Sequence, residues 1–141
     1  MEKKWIELCE SAKKVLSNKK VSKYVEVGSV AAAVESESGK IYVGISVDAA
    51  CGLGVCAERN AILNMLTNGE SKIKRVIAIS TDGKAVAPCG ACREFMAQLM
   101  ENDYKNVEIL IDLENDRVVT LGELIPENWI CPYLFQFKKH W

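Results

Sequence analysis

Excess charge of either sign is missing from this chain. Lys and Arg number 18, Asp and Glu 19, and the net charge is −1. Positive charge gathers only at Lys72-Ile73-Lys74-Arg75 and at Lys138-Lys139, and a nucleic-acid groove carries a larger basic patch. A small, neutral or modestly charged substrate is therefore expected, with no nucleic acid as partner. Long apolar runs are missing too, which excludes a bilayer-spanning helix, and no membrane partner is expected. The opening Met1-Glu2-Lys3-Lys4-Trp5-Ile6-Glu7 is polar and lacks the apolar core of a secretory leader. Histidine is nearly absent: His140 is the single one, it lies in the tail without a partner motif, and it is not expected to bind metal. No internal repeat, linker or low-complexity segment interrupts the 141 residues, a length that fits one domain spanning 1–141.

Cysteine, by contrast, is plentiful: there are six. With no leader to carry the chain to an oxidising compartment, the expected location is the cytoplasm. Thiols stay reduced there, and clustered cysteines mean metal binding or catalysis rather than disulfides. The hydrophobic fraction of 49% is enough for a packed core.

Residues 2–17 place Trp5, Leu8, Cys9, Ala12, Val15 and Leu16 at helical spacing, and Cys9 reads as a small buried thiol on the apolar face. Residues 28–34 and 41–47 predict a β-hairpin turned at Ser36-Glu37-Ser38-Gly39. The loop 48–54 delivers the chain to Cys56, where a helix should start and run to about Thr67, stopped by Asn68-Gly69. Val76-Ile77-Ala78-Ile79-Ser80 predicts a buried strand. A second helix should open at Pro88-Cys89-Gly90-Ala91-Cys92, and 107–111 predicts another buried strand. Thr120 and Glu123 fit a capping box for a short helix ending near Pro126. Trp129, Tyr133, Phe135, Phe137 and Trp141 give the tail an aromatic character suited to docking on the domain or on a neighbouring subunit. Strands interleaved with helices predict a single layered α/β domain.

Val55-Cys56-Ala57-Glu58-Arg59 and Pro88-Cys89-Gly90-Ala91-Cys92-Arg93 carry the chemistry. Cys56, Cys89 and Cys92 supply three thiolates, and three protein ligands leave a fourth position on a zinc ion open, which marks a catalytic site. Each motif falls at a helix start, where free N–H groups and the helix dipole favour thiolate. Glu58 alone would be an ordinary helix-surface residue. Beside a metal-activated water it becomes a proton carrier. Arg59 and Arg93 are placed to offset the negative charge of the sulfurs, or else are ordinary helix surface. An alternative stays open: Cys51 could close a four-cysteine cage, which would be structural and inert. Cys131 has no partner motif.

The run Cys56-Ala57-Glu58-Arg59-Asn60-Ala61-Ile62, taken with Pro88-Cys89-Gly90-Ala91-Cys92-Arg93, resembles the small zinc cytidine deaminases and the related blasticidin-S deaminases. A ligand-x-Glu followed by Pro-Cys-x-x-Cys is the signature of zinc deaminases. The resemblance covers nearly the whole chain. It implies a mixed β-sheet flanked by helices, one Zn²⁺ per subunit on Cys56, Cys89 and Cys92, Glu58 as proton shuttle, and a homotetramer with sites near subunit interfaces. It further implies main-chain contacts to the pyrimidine from Ala57 and Cys89, and puts Trp129 where an aromatic closes over a site, often a neighbour's. The cytidine enzymes read ribose with an Asn-x-Glu at the end of the second strand. Here Ser46 and Asp48 stand there, both shorter, and Gly28 replaces an aromatic. The expected activity is hydrolytic deamination of a cytosine-containing nucleoside, with cytidine, deoxycytidine, blasticidin S and other aminoheterocycles as candidate substrates. A zinc-stabilised binding module is the alternative from another class.

Overall fold

The computed structural model describes residues 1–130. In chain order the elements are α1 (Lys3–Val15), β1 (Lys19–Lys20), β2 (Val25–Ser36), β3 (Ile41–Ala49), α2 (Ala57–Thr67), β4 (Ile73–Ser80), α3 (Gly90–Leu99), β5 (Glu108–Asp112), β6 (Arg117–Thr120) and α4 (Leu121–Leu124). Two short 3₁₀ turns, Ala50–Gly52 and Tyr104–Asn106, lie between them. β2 pairs antiparallel with β3, with β4 and, near its start, with β1. β5 runs parallel to β4, and β6 closes the sheet antiparallel to β5. The parallel pair needs a crossover, and α3 lies within it.

Strand side chains alternate between faces, and this alternation sorts the core into two layers. Ala31, Ala33, Ile77 and Ile79 meet Trp5, Leu8, Cys9 and Ala12 of α1. Ala32, Val34, Val76 and Ala78 meet Ala57, Ala61, Ile62 and Met65 of α2, together with Met96 and Ala97 of α3. The sheet is thus covered by helices on both faces, as the fold-class expectation required. Arg75 of β4 ties α1 to the sheet: it donates to Glu35 and Glu108, pairs with Glu2 and stacks 5.8 Å from the Trp5 ring centroid.

α2 sits unusually close to β3, and Gly44 is the reason. A Cβ built there would lie 2.3 Å from the Ala61 amide nitrogen and 2.7 Å from the Asn60 carbonyl carbon. Both are backbone atoms, so no rotamer change relieves the clash. Asn60 and Asn64 then fasten the helix by donating to the Ile45 and Val43 carbonyls at 3.0 and 3.3 Å. Gly44→Ala is expected to cost about 3 kcal/mol, the upper end for overpacking. Denaturant melts of wild type and variant would measure it, and a cost below about 0.5 kcal/mol would show that the helix can simply move away.

The hairpin is longer than its apolar pattern, beginning at Val25, because β2 crosses an irregularity between Val27 and Ala31. Gly28 sits there at φ +81°, and its carbonyl accepts from the Ser17 and Asn18 amides. β1 and β6, short and largely exposed, had no periodic signal in the sequence. The capping box is present in both directions, Glu123 N–H to Thr120 and Thr120 N–H to Glu123. Of the aromatic tail, Tyr133, Phe135, Phe137 and Trp141 lie outside the described residues, as do Cys131 and His140.

Candidate functional site

Two helix N-termini meet at one place. Cys56 caps α2 and Cys89 caps α3, both with extended backbone and neither using its side chain to cap. Their sulfurs are therefore free to turn toward each other. Cys92 follows in the first turn of α3 and is wholly buried. Cys56 Sγ lies 3.4 Å from Cys89 Sγ, which lies 3.4 Å from Cys92 Sγ. All three sulfurs fall within 4.8 Å of one another.

Four ligands at about 2.3 Å on a tetrahedral zinc stand about 3.8 Å apart, so the trio already has the size of one face of such a polyhedron. Burial raises the Cys92 thiol well above its ordinary pKa, and the nearby Glu58 carboxylate adds to this. Burial raises Cys56 as well, with its contact to Cys89 adding to the rise, although the Arg59 guanidinium opposes it. Cys89 goes the other way: despite burial, the Cys92 backbone amide, the neighbouring thiols and the Ala91 amide hold it below. Three ionised sulfurs this close repel one another, and a soft dication is what would let them ionise together.

Arg59 supports the same conclusion. Its Nη2 reaches Cys56 Sγ at 3.9 Å, while its Nε is buried without a partner. Beside neutral thiols the guanidinium would have only the Glu58 carboxylate as a counter-charge. Three thiolates on Zn²⁺ carry one net negative charge, which matches the one positive charge of Arg59. The donor set fits zinc.

Glu58, on the first turn of α2, is 5% exposed. Burial raises its pKa, while its backbone hydrogen bond and the Arg59 charge pull the other way. It lines a cleft of ≈ 320 Å³ together with Cys56, Cys89, Ala57 and Arg59. That volume suits a small molecule, for which pockets run from about 300 Å³ upward. β2 and β3 supply Ser29, Val30, Ser46, Val47 and Asp48, and Val86 and Ala87 come from the segment before Cys89. Of these, Ser46 is buried and Asp48 is exposed.

Cys56, Cys89, Cys92, Glu58, Ala57, Ser46, Asp48 and Arg59 are thus brought together as the sequence suggested. Arg93 is not: its Nε donates to the Pro88 carbonyl at 2.8 Å and its Nη1 to the Leu124 carbonyl at 3.3 Å. It braces the loop that carries Cys89 instead of meeting a sulfur, because those carbonyls lie within its reach. Trp129 lies outside the cleft of its own chain, 56% exposed, its indole N–H donating to Glu94 at 2.7 Å. Cys51 is exposed in the 3₁₀ turn and is not part of the thiol trio among the described residues. Ser29, Val86 and Ala87 were missed. Ser29 stands in the Gly28-Ser29-Val30 run read as a plain strand, and only its cross-strand partner reveals it.

Water activation by a metal, beside a buried carboxyl that can carry protons, is the chemistry of hydrolytic metalloenzymes. Residues 3–107 match the family described as the cytidine and deoxycytidylate deaminase zinc-binding region, and the chain belongs to that family. A cytidine deaminase of Halalkalibacterium halodurans is 33% identical over 99 residues, covering 69% of this chain and 74% of that protein. A blasticidin-S deaminase of Bacillus cereus is 29% identical over 107 residues, covering 69% and 74%. Among solved structures, the cytidine deaminase of Burkholderia pseudomallei superposes with a TM-score of 0.70 at 30% identity, covering 92% of this chain and 100% of that one. A mutant cytidine deaminase of Mycobacterium tuberculosis, at TM-score 0.74 and 24% identity over 92% and 98%, bears on the fold alone.

Proposed function

We propose that the chain catalyses hydrolytic deamination of a cytosine-containing nucleoside, cytidine or deoxycytidine, giving the uracil nucleoside and ammonia. The observation that carries this reading is the buried Glu58 carboxyl sharing one cleft with three thiols of zinc-binding size. Zinc, held by Cys56, Cys89 and Cys92 and left with an open position, supplies Lewis acidity when bound. Glu58 accepts a proton from the attacking water and delivers it to the ring nitrogen next to the amine-bearing carbon; it then takes the second proton from the hydroxyl that water has left on that carbon, which becomes the carbonyl, and gives it to the departing amine. Its burial keeps bulk water from competing for that proton. Ala57, wholly buried in the lining of the cleft, offers main-chain groups to the pyrimidine, and Ser46 and Asp48 face the rest of the substrate. Zinc content, followed by an ammonia-release screen over cytidine, deoxycytidine, blasticidin S and cytosine, tests the reading. Zinc-loaded protein silent on all of them would favour the binding module.

A second reading has its own support. Ser46 and Asp48 depart from Asn-x-Glu, and a blasticidin-S deaminase is among the relatives, so blasticidin S or another aminoheterocycle is the runner-up substrate.

We further propose a homotetramer in the cytoplasm, in which Trp129 lies at a subunit contact near a neighbour's cleft. No helix among the described residues is long and apolar enough to cross a membrane. Trp129 is exposed in the single chain and so free to meet a neighbour. Deleting residues 127–141 is expected to break the oligomer and lower activity. Light scattering beside an activity assay decides it, and a fully active truncated monomer overturns it.

A further inference from the structure

Cys56 and Cys89 play equivalent parts at two helix starts, but the chain reaches them differently. Val55, just ahead of Cys56, exchanges two backbone hydrogen bonds with Val47 of β3, each 2.9 Å. The carbonyl before Cys56 is thereby held by the sheet. Pro88 stands in the same place ahead of Cys89. Proline has no N–H, so it cannot enter such a two-way bridge. The nearest preceding tie to the sheet among the described residues is the Val86 amide, which donates to the Ala78 carbonyl at 2.9 Å.

Arg93 does for Cys89 what Val47 does for Cys56. Its Nε donates to the Pro88 carbonyl at 2.8 Å, where the Val47 amide donates to the Val55 carbonyl at 2.9 Å. Its own backbone amide donates to the Cys89 carbonyl at 3.0 Å. One residue therefore grips both peptides that flank Cys89. Each peptide is planar, so holding its carbonyl holds the whole unit. With both units fixed, φ and ψ of Cys89 are fixed at −67° and 168°, and with them the direction in which Cβ and Sγ leave the backbone.

The far end of the guanidinium is anchored too. Its Nη1 donates to the carbonyl of Leu124, the last residue of α4, at 3.3 Å. Carbonyls at a helix end have no partner within the helix, and α4 is itself pinned at its start by the Thr120 and Glu123 capping box. A guanidinium holds its donors in a rigid planar fork and can meet two carbonyls in set directions, which an ammonium cannot. We propose that Arg93 is a positioning residue for the metal: it braces the two peptides around Cys89 against the end of α4, keeps Cys89 Sγ aimed at the other two thiols, and so strengthens zinc binding. This rests on the metal-holding part of the proposed function and not on the reaction.

Zinc affinity, measured by competition with a chromogenic chelator, tests it. Arg93→Ala should bind zinc about tenfold to hundredfold more weakly, the usual worth of a group that orients a metal ligand. The cobalt-loaded variant should show weaker thiolate-to-metal absorption than cobalt-loaded wild type. Arg93→Lys keeps the charge and loses the fork, and should fall between wild type and Arg93→Ala. Glu94→Ala cuts the Trp129 contact on the same helix turn without touching Pro88, and should keep wild-type zinc affinity. Melting temperatures of the metal-free and zinc-loaded proteins are read beside these. A merely structural role would lower both temperatures alike and leave zinc affinity and cobalt absorption unchanged, which overturns the proposal. Arg93→Lys at wild-type affinity overturns it as well, making charge the cause, as does Glu94→Ala weakened as much as Arg93→Ala. Should Arg93→Ala not fold, Arg93→Lys decides by the same criteria. Zinc-loaded wild type that releases no ammonia, with the ranking of affinities intact, would remove the deaminase reading and leave the role of Arg93 standing. A wild type that takes up no zinc overturns both.

Discussion

Glu58→Gln is expected to lower kcat on the active nucleoside by about 10⁴-fold or more while leaving zinc content and fold unchanged. The substitution keeps size and hydrogen-bonding capacity and removes only the ability to take up and release a proton. General acid–base help is worth about 10²–10⁴-fold per group. Glu58 is asked to serve twice, at the attacking water and at the departing amine, so the top of that range applies, about 5.4 kcal/mol of barrier. The amide should be tolerated because the site already buries the carboxyl, whose pKa burial raises; the neutral side chain carries less desolvation cost than the carboxylate. The measurement is steady-state turnover beside zinc content and melting temperature. Near-wild-type turnover removes Glu58 from the mechanism. Loss of zinc together with activity would make Glu58 a residue that holds the site together instead.

Why this much of the site could be read from sequence is a matter of range. Cys56 and Glu58 are two residues apart, and Cys89 and Cys92 three, so one helix turn fixes each pair. The separation of 33 positions from Cys56 to Cys89 is another matter. Nothing local says that two helix starts converge, and the resemblance to the deaminases supplied that step. α1, the hairpin and the two central helices were legible because their apolar residues keep the period of the element they form. β1 and β6 were not, being two and four residues long with little to bury.

The misses share a physical cause: each depends on a partner far away in sequence. Ser29 matters because Ser46, seventeen residues on, lies across the strand pair. Arg93 was placed beside the sulfurs by sequence proximity alone, yet its guanidinium follows the Pro88 and Leu124 carbonyls. Gly44 looked like one more small residue in an alternating strand, and only the approach of α2 explains why no side chain fits. Side-chain direction and backbone approach are decided by tertiary neighbours, whereas spacing within one element is decided by the chain itself.

Cys92→Ala should strip the metal, and Cys51→Ser should not. Cys92 is wholly buried beneath the meeting point of α2 and α3, and its sulfur closes the trio through Cys89. With alanine there, two thiols remain and the buried position cannot be refilled by solvent without opening the helix start. Zinc should fall from about one per chain to a small fraction, and turnover should become undetectable. Stability should fall with it, since metal that binds only the folded chain contributes its binding free energy to folding. A chelator should therefore lower the melting temperature of wild type toward that of Cys92→Ala and leave the variant where it is. Cys51, exposed and apart from the trio, should be dispensable, with Cys51→Ser keeping about one zinc and full turnover because the fourth position is left open for catalysis. Metal analysis of the two variants separates the alternatives: a Cys51→Ser protein without zinc would mean a closed four-cysteine site and no room for hydrolysis.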